Sequence, residues 1–225
     1  MINRLCIVLA HGGAVETVKR HLPIWAKFHD RTIVCSPADD PLNLPGEWGF
    51  VNGKSSKYAA DTNLRARAAM TLALEIGPRY LTVCEYDALL WDWPSKLIDQ
   101  TFTIGGRAMG SVFHSADPSF LGKNYIHSPI IFDRVGYYET TKAMHKLPDD
   151  AERGFGDRMF GLAIERAGVT LIDGHAHGLS YSQNHIERQH YPEMMAKVRA
   201  GACFTHGIKD AQALRIGMNA AKIAY

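Results

Sequence analysis

Residues Tyr80–Cys84 form a short apolar, β-branched run, and Glu85, Tyr86 and Asp87 follow it without a break. Such a run reads as a buried strand. Residues i and i+2 of an extended or turning chain point the same way. Glu85 and Asp87 therefore converge at the carboxyl end of a strand, where open α/β sheets hold their ligands. Two hard oxygen donors side by side suit Mg²⁺ or Mn²⁺, ions that commonly complete their shells with substrate phosphates. Read alone, the pair is either a metal–diphosphate site or two solvated acids in a turn.

The chain before this stretch sets its context. Leu5–Ala10 is apolar throughout, as in a central parallel strand, and runs into His11-Gly12-Gly13. Glycines there let backbone approach a ligand closely, which makes Ala10, His11 and Gly12 candidates for nucleotide contact. Val18, Leu22 and Trp25 recur at helical spacing and predict a helix over Val15–Phe28. Thr32–Cys35 is a second strand; Asp39 beyond it meets a ribose or base, or is an ordinary turn aspartate. Strand, glycine turn, helix, strand is the opening of a doubly wound α/β sheet. Neither GxGxxG nor GxxxxGK[ST] is present, which disfavours the usual dinucleotide fold and the P-loop. Pro41–Lys57 reads as a loop bordering a site, with Lys57 as one of its cations. A helix over Asp61–Ile76 follows, stopped by Gly77-Pro78.

Downstream, the pattern predicts a helix from Asp92 to Thr101, a strand at Met109–Phe113, irregular chain over Ser115–His127 and a strand at Ser128–Phe132. Helices over Val135–Met144 and Arg158–Ala167, a strand at Val169–Ile172 and a terminal helix complete it. The expectation is one α/β domain over residues 1–225, with a mostly parallel central sheet flanked by helices. Residues 1–90 form its donor-nucleotide half and 91–225 its acceptor and catalytic half. The formal net charge of +2 is too balanced to argue for nucleic acid or an anionic membrane by itself. Cys6, Cys35, Cys84 and Cys203 form no CxxC pair; they read as small buried hydrophobes in a reducing compartment. The N-terminal apolar run is too short for a membrane span and lacks a cleavage pattern, so a cytoplasmic protein is expected.

The order of these parts resembles that of GT-A type glycosyltransferases, which are metal-dependent, use nucleotide-diphosphate sugars and carry a short acidic DxD motif after a central strand. Glu85-Tyr86-Asp87 matches as ExD. The helix bearing Asn63, Arg65 and Arg67 resembles the basic helix that precedes the motif and helps hold the donor. Gly154-Phe155-Gly156-Asp157 resembles the region where inverting members place a catalytic acid at a helix start, so only Asp157 is carried over. Phe204-Thr205-His206-Gly207-Ile208-Lys209 resembles a C-terminal segment in which a histidine closes the metal shell and a lysine touches the diphosphate. The resemblance spans roughly Leu5–Lys209 and implies a Mn²⁺ or Mg²⁺ enzyme using a UDP-sugar. It implies Glu85, Asp87 and His206 as metal ligands, with His177 and His175 as rivals for the third place. Tyr86 and Lys209 would join the donor contacts, and Asp157 would be the general base. A helix N-terminus would keep Asp157 ionised, although aspartate there is also a common cap. Arg65 and Arg67 stand at i and i+2 of a helix and cannot face the same way; Arg65 is favoured for the diphosphate.

Other readings remain open. A nucleotidyltransferase of similar fold would need basic residues after the glycine turn, and His11-Gly12-Gly13 lacks them. A metal hydrolase built on His175, His177, His185 and His190 has no HExxH spacing. A non-catalytic nucleotide-binding module is the third. The acceptor segment, Asp92–Arg153, interleaves basic and aromatic residues, among them Arg107, His114, Tyr125 and His127. That composition suits a nucleic acid, a glycan or an anionic lipid head; the acceptor expected is a glycan, a small molecule or a modified DNA base.

Overall fold

In the first strand, β1 (Arg4–Leu9), alternate side chains enter two different cores. Leu5, Ile7 and Leu9 join one cluster, Cys6 and Val8 the other. A strand buried on both faces requires a layer of helices on each side. The chain, as a computed structural model, describes residues 2–38, 40–50, 58–102, 105–114, 124–148 and 156–224. The remaining strands are β2 (Arg31–Pro37), β3 (Trp48–Phe50), β4 (Tyr80–Glu85), β5 (Ala88–Leu90), β6 (Arg107–His114), β7 (Asn124–Asp133), β8 (Thr170–Asp173), β9 (Ser180–Ser182) and β10 (Phe204–His206). The helices are α1 (Val15–Phe28), α2 (Tyr58–Ile76), α3 (Ser95–Thr101), α4 (Arg134–Met144), α5 (Gly156–Ala167), α6 (Tyr191–Arg199) and α7 (Ala211–Ala221).

The main sheet has seven strands in the order β3-β2-β1-β4-β7-β6-β8. Its pairs are parallel except where β7 runs against β4 and β6. The expected mostly parallel α/β sheet flanked by helices is therefore what forms. Residues of α2, α4 and α5 (Met70, Tyr137, Phe160) close one core, and residues of α1, α6 and α7 (Trp25, Met194, Leu214) close the other.

The structure departs from the expectations where pairing, not local pattern, makes the strand. Trp48–Phe50, read as loop, adds a parallel edge strand to β2. Asn124–His127, read as irregular because polar residues interrupt it, is the first part of β7 and pairs with Ser111–His114. The β6–β7 register shifts between Met109 and Ser111, opposite Ser128-Pro129. A proline has no N–H for a ladder and sits where the ladder is broken. The Asp92 helix begins at Ser95 instead, and α6 was not anticipated, although Pro192 near its start is a helix-initiating signal.

A second, three-stranded sheet, β5-β10-β9, was also not anticipated. It sets His206 opposite Ala88 and Ser182 opposite His206. Among the described residues no helix is long and apolar enough to cross a membrane. All four cysteines are buried and unpaired.

Candidate metal centre

Glu85 ends β4, and β5 begins three residues later at Ala88. That turn is tied down by its backbone. The Asp87 carbonyl accepts the N–H groups of Gly207 (3.1 Å) and Ile208 (2.9 Å). The Tyr86 carbonyl accepts from His21 Nδ1 (3.0 Å), and the Ala88 carbonyl from Trp25 Nε1 (2.9 Å). The Glu85 N–H, past the last β4–β7 pair, donates to Ser128 Oγ at 3.0 Å. The acidic turn and the chain after β10 are thus one hydrogen-bonded unit, although their residues stand about 120 positions apart.

The consequence is a cluster of three ligand-type side chains. One donor atom each of Glu85, Asp87 and His206 lies within 4.8 Å of the other two. His206 Nε2 is 3.1 Å from Glu85 Oε2 and 3.6 Å from Asp87 Oδ1. Its Nδ1 donates to the Gln183 carbonyl at 3.1 Å. With acceptors on both sides, both ring nitrogens carry protons and the ring is an imidazolium. Burial opposes that charge, but the Glu85 hydrogen bond and the Asp87, Glu85 and Asp157 carboxylates raise the His206 pKa to about 9. Burial also works against the Glu85 charge, and there His206 wins, holding Glu85 below the ordinary carboxylate range. Asp87 is buried deeper, and burial pushes its pKa up despite His206 and Lys209.

This donor set fits a divalent ion. Asp87 Oδ1 is buried without a hydrogen-bond partner, a costly arrangement unless something completes it. Loss of the Nε2 proton would leave His206 anchored through Nδ1–H on a backbone carbonyl, the usual support of a metal-bound histidine.

The other candidates fall in and around this cluster. The cavity of about 220 Å³ over it is lined by His11, Arg65, Tyr86, Asp157 and Lys209, along with Glu85, Asp87 and His206. Lys209 Nζ is 3.4 Å from Asp87 Oδ2. Arg65 donates to the Ala10 carbonyl at 3.3 Å, whereas Arg67 turns away to the carbonyls of Met144 and Leu147. The i, i+2 spacing thus separates the two arginines as expected. His11 packs edge-on against Tyr86, and Gly12 donates its N–H to Asp40 (3.0 Å). Asp39 and Lys57 lie outside the described residues, as do Gly154 and Phe155.

His175 and His177 are exposed and stand apart from the cluster; His177 lines a separate cleft with Trp93 and Cys203. Among the described residues, His175, His177, His185 and His190 form no metal-ligating group.

Asp157 lies in the first turn of α5, 3.6 Å from His127 Nε2. It departs from the expectation of an ionised helix-end acid. Burial, and then the charges of Glu85 and Asp87, push its pKa well above the carboxylate range against the opposing charges of His206 and Arg158. His127 was visible only as one member of a basic and aromatic segment. In the structure its ring lies 4.8 Å from that of His206, and Nδ1 meets Ser182 Oγ at 2.5 Å. Burial and the His206 charge lower its pKa to about 4. Asn184, which also lines the cavity, had no sequence signal, because β9 that precedes it was not legible.

No family model matches the chain, and no curated protein does. Solved structures do. A glycosyltransferase involved in glycosylation of the major capsid of PBCV-1 superposes with a TM-score of 0.53 at 11% identity, over 97% of this chain and 98% of that one. The fold is GT-A-like. At that identity the likeness shows the fold alone. The bifunctional IspDF from Campylobacter jejuni matches with a TM-score of 0.47 at 15% identity, over 76% of this chain and 50% of that chain, so the match spans half its length. A 4-diphosphocytidyl-2C-methyl-D-erythritol synthase matches with a TM-score of 0.42 at 18% identity, over 76% of this chain and 89% of that chain.

Proposed function

We propose that the protein is a glycosyltransferase that moves a sugar from a nucleoside diphosphate sugar, a UDP-sugar in the first instance, to an acceptor hydroxyl. Mg²⁺ or Mn²⁺ would be held by Glu85, Asp87 and His206. The observation that carries this reading is the convergence of those three side chains within 4.8 Å at the carboxyl end of β4. When bound, the ion supplies charge neutralisation for the departing diphosphate. Lys209 and Arg65, at the same cavity, add positive charge to that end of the donor. With the diphosphate at the metal ligands, nucleoside and sugar extend along the borders of the cavity, past Ala10, His11, Gly12 and Tyr86 on one side.

Asp157 takes the proton of the acceptor hydroxyl. Its raised pKa has burial as first cause and the Glu85 charge as second; positive charge brought to Glu85 and Asp87 removes the second and favours the ionised base. Residues 1–90 form the donor half of a single domain, and the remainder the acceptor half. Four buried free thiols accord with a reducing, cytoplasmic setting.

The test is incubation with a panel of UDP-sugars and Mn²⁺, following UDP release. Slow, Mn²⁺-dependent release without acceptor is expected, abolished by chelation. Absence of both release and Mn²⁺-dependent UDP binding would refute the proposal. Pyrophosphate release from a nucleoside triphosphate would replace it with nucleotidyl transfer.

A further inference from the structure

From Asp157 outward, one face of the main sheet is a run of rings. Tyr125 and His127 share a face of β7, being i and i+2 in a strand. Phe113 pairs directly with Tyr125 across β6–β7. The Phe113 ring stacks on Tyr125 (5.3 Å, interplanar 16°) and lies 4.5 Å from His127, which in turn lies 4.8 Å from His206. Phe113 and Tyr125 are each only partly buried. The helix that carries Asp157 packs on the strand from the other side, where Ile126 joins the α5 core. A side chain at Gly161 would collide with the Asn124 carbonyl, so α5 sits directly on β7. At the inner end, Asn184 borders the same cavity as Asp157, offering an amide that both donates and accepts.

Among the described residues the ring row itself carries no lysine or arginine, and Arg158 is the cation beside it. Glu85, Asp87 and Asp157 stand at its inner end. None of residues 111–114, 124–128 or 182–184 is Lys or Arg. The guanidinium of Arg158 lies 5.8 Å over the Tyr125 ring. A polyanion gains its affinity from cations that track its phosphates, and the described part of the ring row offers no such track. Rings beside a carboxyl and an amide suit instead a neutral, polyhydroxylated ligand: its C–H face meets the negative face of a ring, and its hydroxyls meet the polar groups.

We propose that this face is the acceptor subsite and that the acceptor is an uncharged saccharide, laid on Phe113 and Tyr125 with its reacting hydroxyl toward Asp157 and Asn184. This rests on the reading of the site as a glycosyltransferase. In transfer, the acceptor oxygen forms the new bond to the sugar carbon, the bond from that carbon to the diphosphate breaks, and the hydroxyl proton goes to Asp157.

The test is saturation-transfer NMR on the protein with UDP and Mn²⁺. The probes are methyl glucoside, methyl galactoside, lactose and maltotriose, run beside glucose 6-phosphate and an oligothymidylate. Saturation of pyranose ring protons is expected for at least one neutral saccharide. Affinity should weaken roughly tenfold in Tyr125→Ala or Phe113→Leu, the upper end of one aromatic contact, and be retained in Tyr125→Phe. Melting curves separate unfolded variants from folded ones that no longer bind. Tighter binding of the oligonucleotide or phosphosugar overturns the proposal, as does a saccharide signal that survives loss of both rings. UDP–Mn²⁺ binding with no saccharide signal at all defeats the subsite alone; loss of UDP–Mn²⁺ binding defeats the reading beneath it.

Discussion

Gly207 links the two halves of the metal cluster, and its substitution by alanine has a calculable effect. Its φ is +96°, a region that costs an alanine roughly 1–2 kcal/mol. An added Cβ would also run into the Gln183 carbonyl, with the Gln183 carbonyl carbon at 3.0 Å and His185 N at 3.3 Å. These are backbone atoms, and overpacking of that kind costs about 1–3 kcal/mol. Together the two effects lower Tm by roughly 10 °C for a chain of this size. Gly201 is the control, with φ of +106° and nothing within 4 Å of its Cβ. Gly201→Ala therefore carries the backbone cost alone, about 4 °C. The Gln183 carbonyl that must retreat is the acceptor of His206 Nδ1. Loss of such a supporting bond weakens metal binding about 10–100-fold. Thermal melting and a Mn²⁺ titration of both variants decide the matter. A Gly207→Ala protein that melts with Gly201→Ala and binds Mn²⁺ like the wild type refutes the close approach.

Asp87→Asn should lower metal-dependent turnover on the order of a hundredfold or more without lowering Tm, since it removes a buried carboxyl whose ionised form burial already disfavours; Glu85→Gln, at the less buried ligand, should retain more activity. Gly161→Ala should lift α5 from β7 and cost roughly 1–3 kcal/mol, read as a lower Tm, while raising acceptor KM through the displaced Asp157. Acid should destabilise the fold through His21 and His29. Burial holds both near pKa 4, against 6.5 for a free ring, so the stability they lend is complete above pH 6.5 and falls as pH drops toward 4, by about 2 kcal/mol per ring at pH 5. His29 donates Nδ1–H to the Trp25 carbonyl and accepts from Thr82 at Nε2, which only the neutral ring can do; His29→Gln should flatten the melting-temperature slope between pH 7 and 5.

The main sheet was readable because apolar strands and amphipathic helices carry their own periodicity. The ends of β1, α1 and β4 fall within one or two residues of the pattern. Glu85 and Asp87 were readable for the same reason, since strand geometry fixes where i and i+2 point. The arginines of α2 separated by helix spacing alone. The three-stranded sheet was not legible. Its strands are three residues long and owe their conformation to partners distant in sequence, β5 to β10 across more than 110 residues, so no local preference announces them. His206 was reachable only through family resemblance, because what places it is the pairing of β10 with β5. His127 was hidden by the polar residues of Asn124–His127, which mask a strand whose inner half is covered by α5. The raised Asp157 pKa was not legible, since a helix end is local, whereas the burial and the Glu85 charge that act on it come from the tertiary fold.

The most direct measurement is anomalous diffraction from a crystal of the protein soaked with UDP and Mn²⁺. The metal should lie about 2–2.5 Å from a carboxylate oxygen of Asp87 and from His206 Nε2, with diphosphate oxygens on its open side toward Lys209. Manganese held by His175 and His177, or UDP bound with no metal at Asp87, would contradict the assignment.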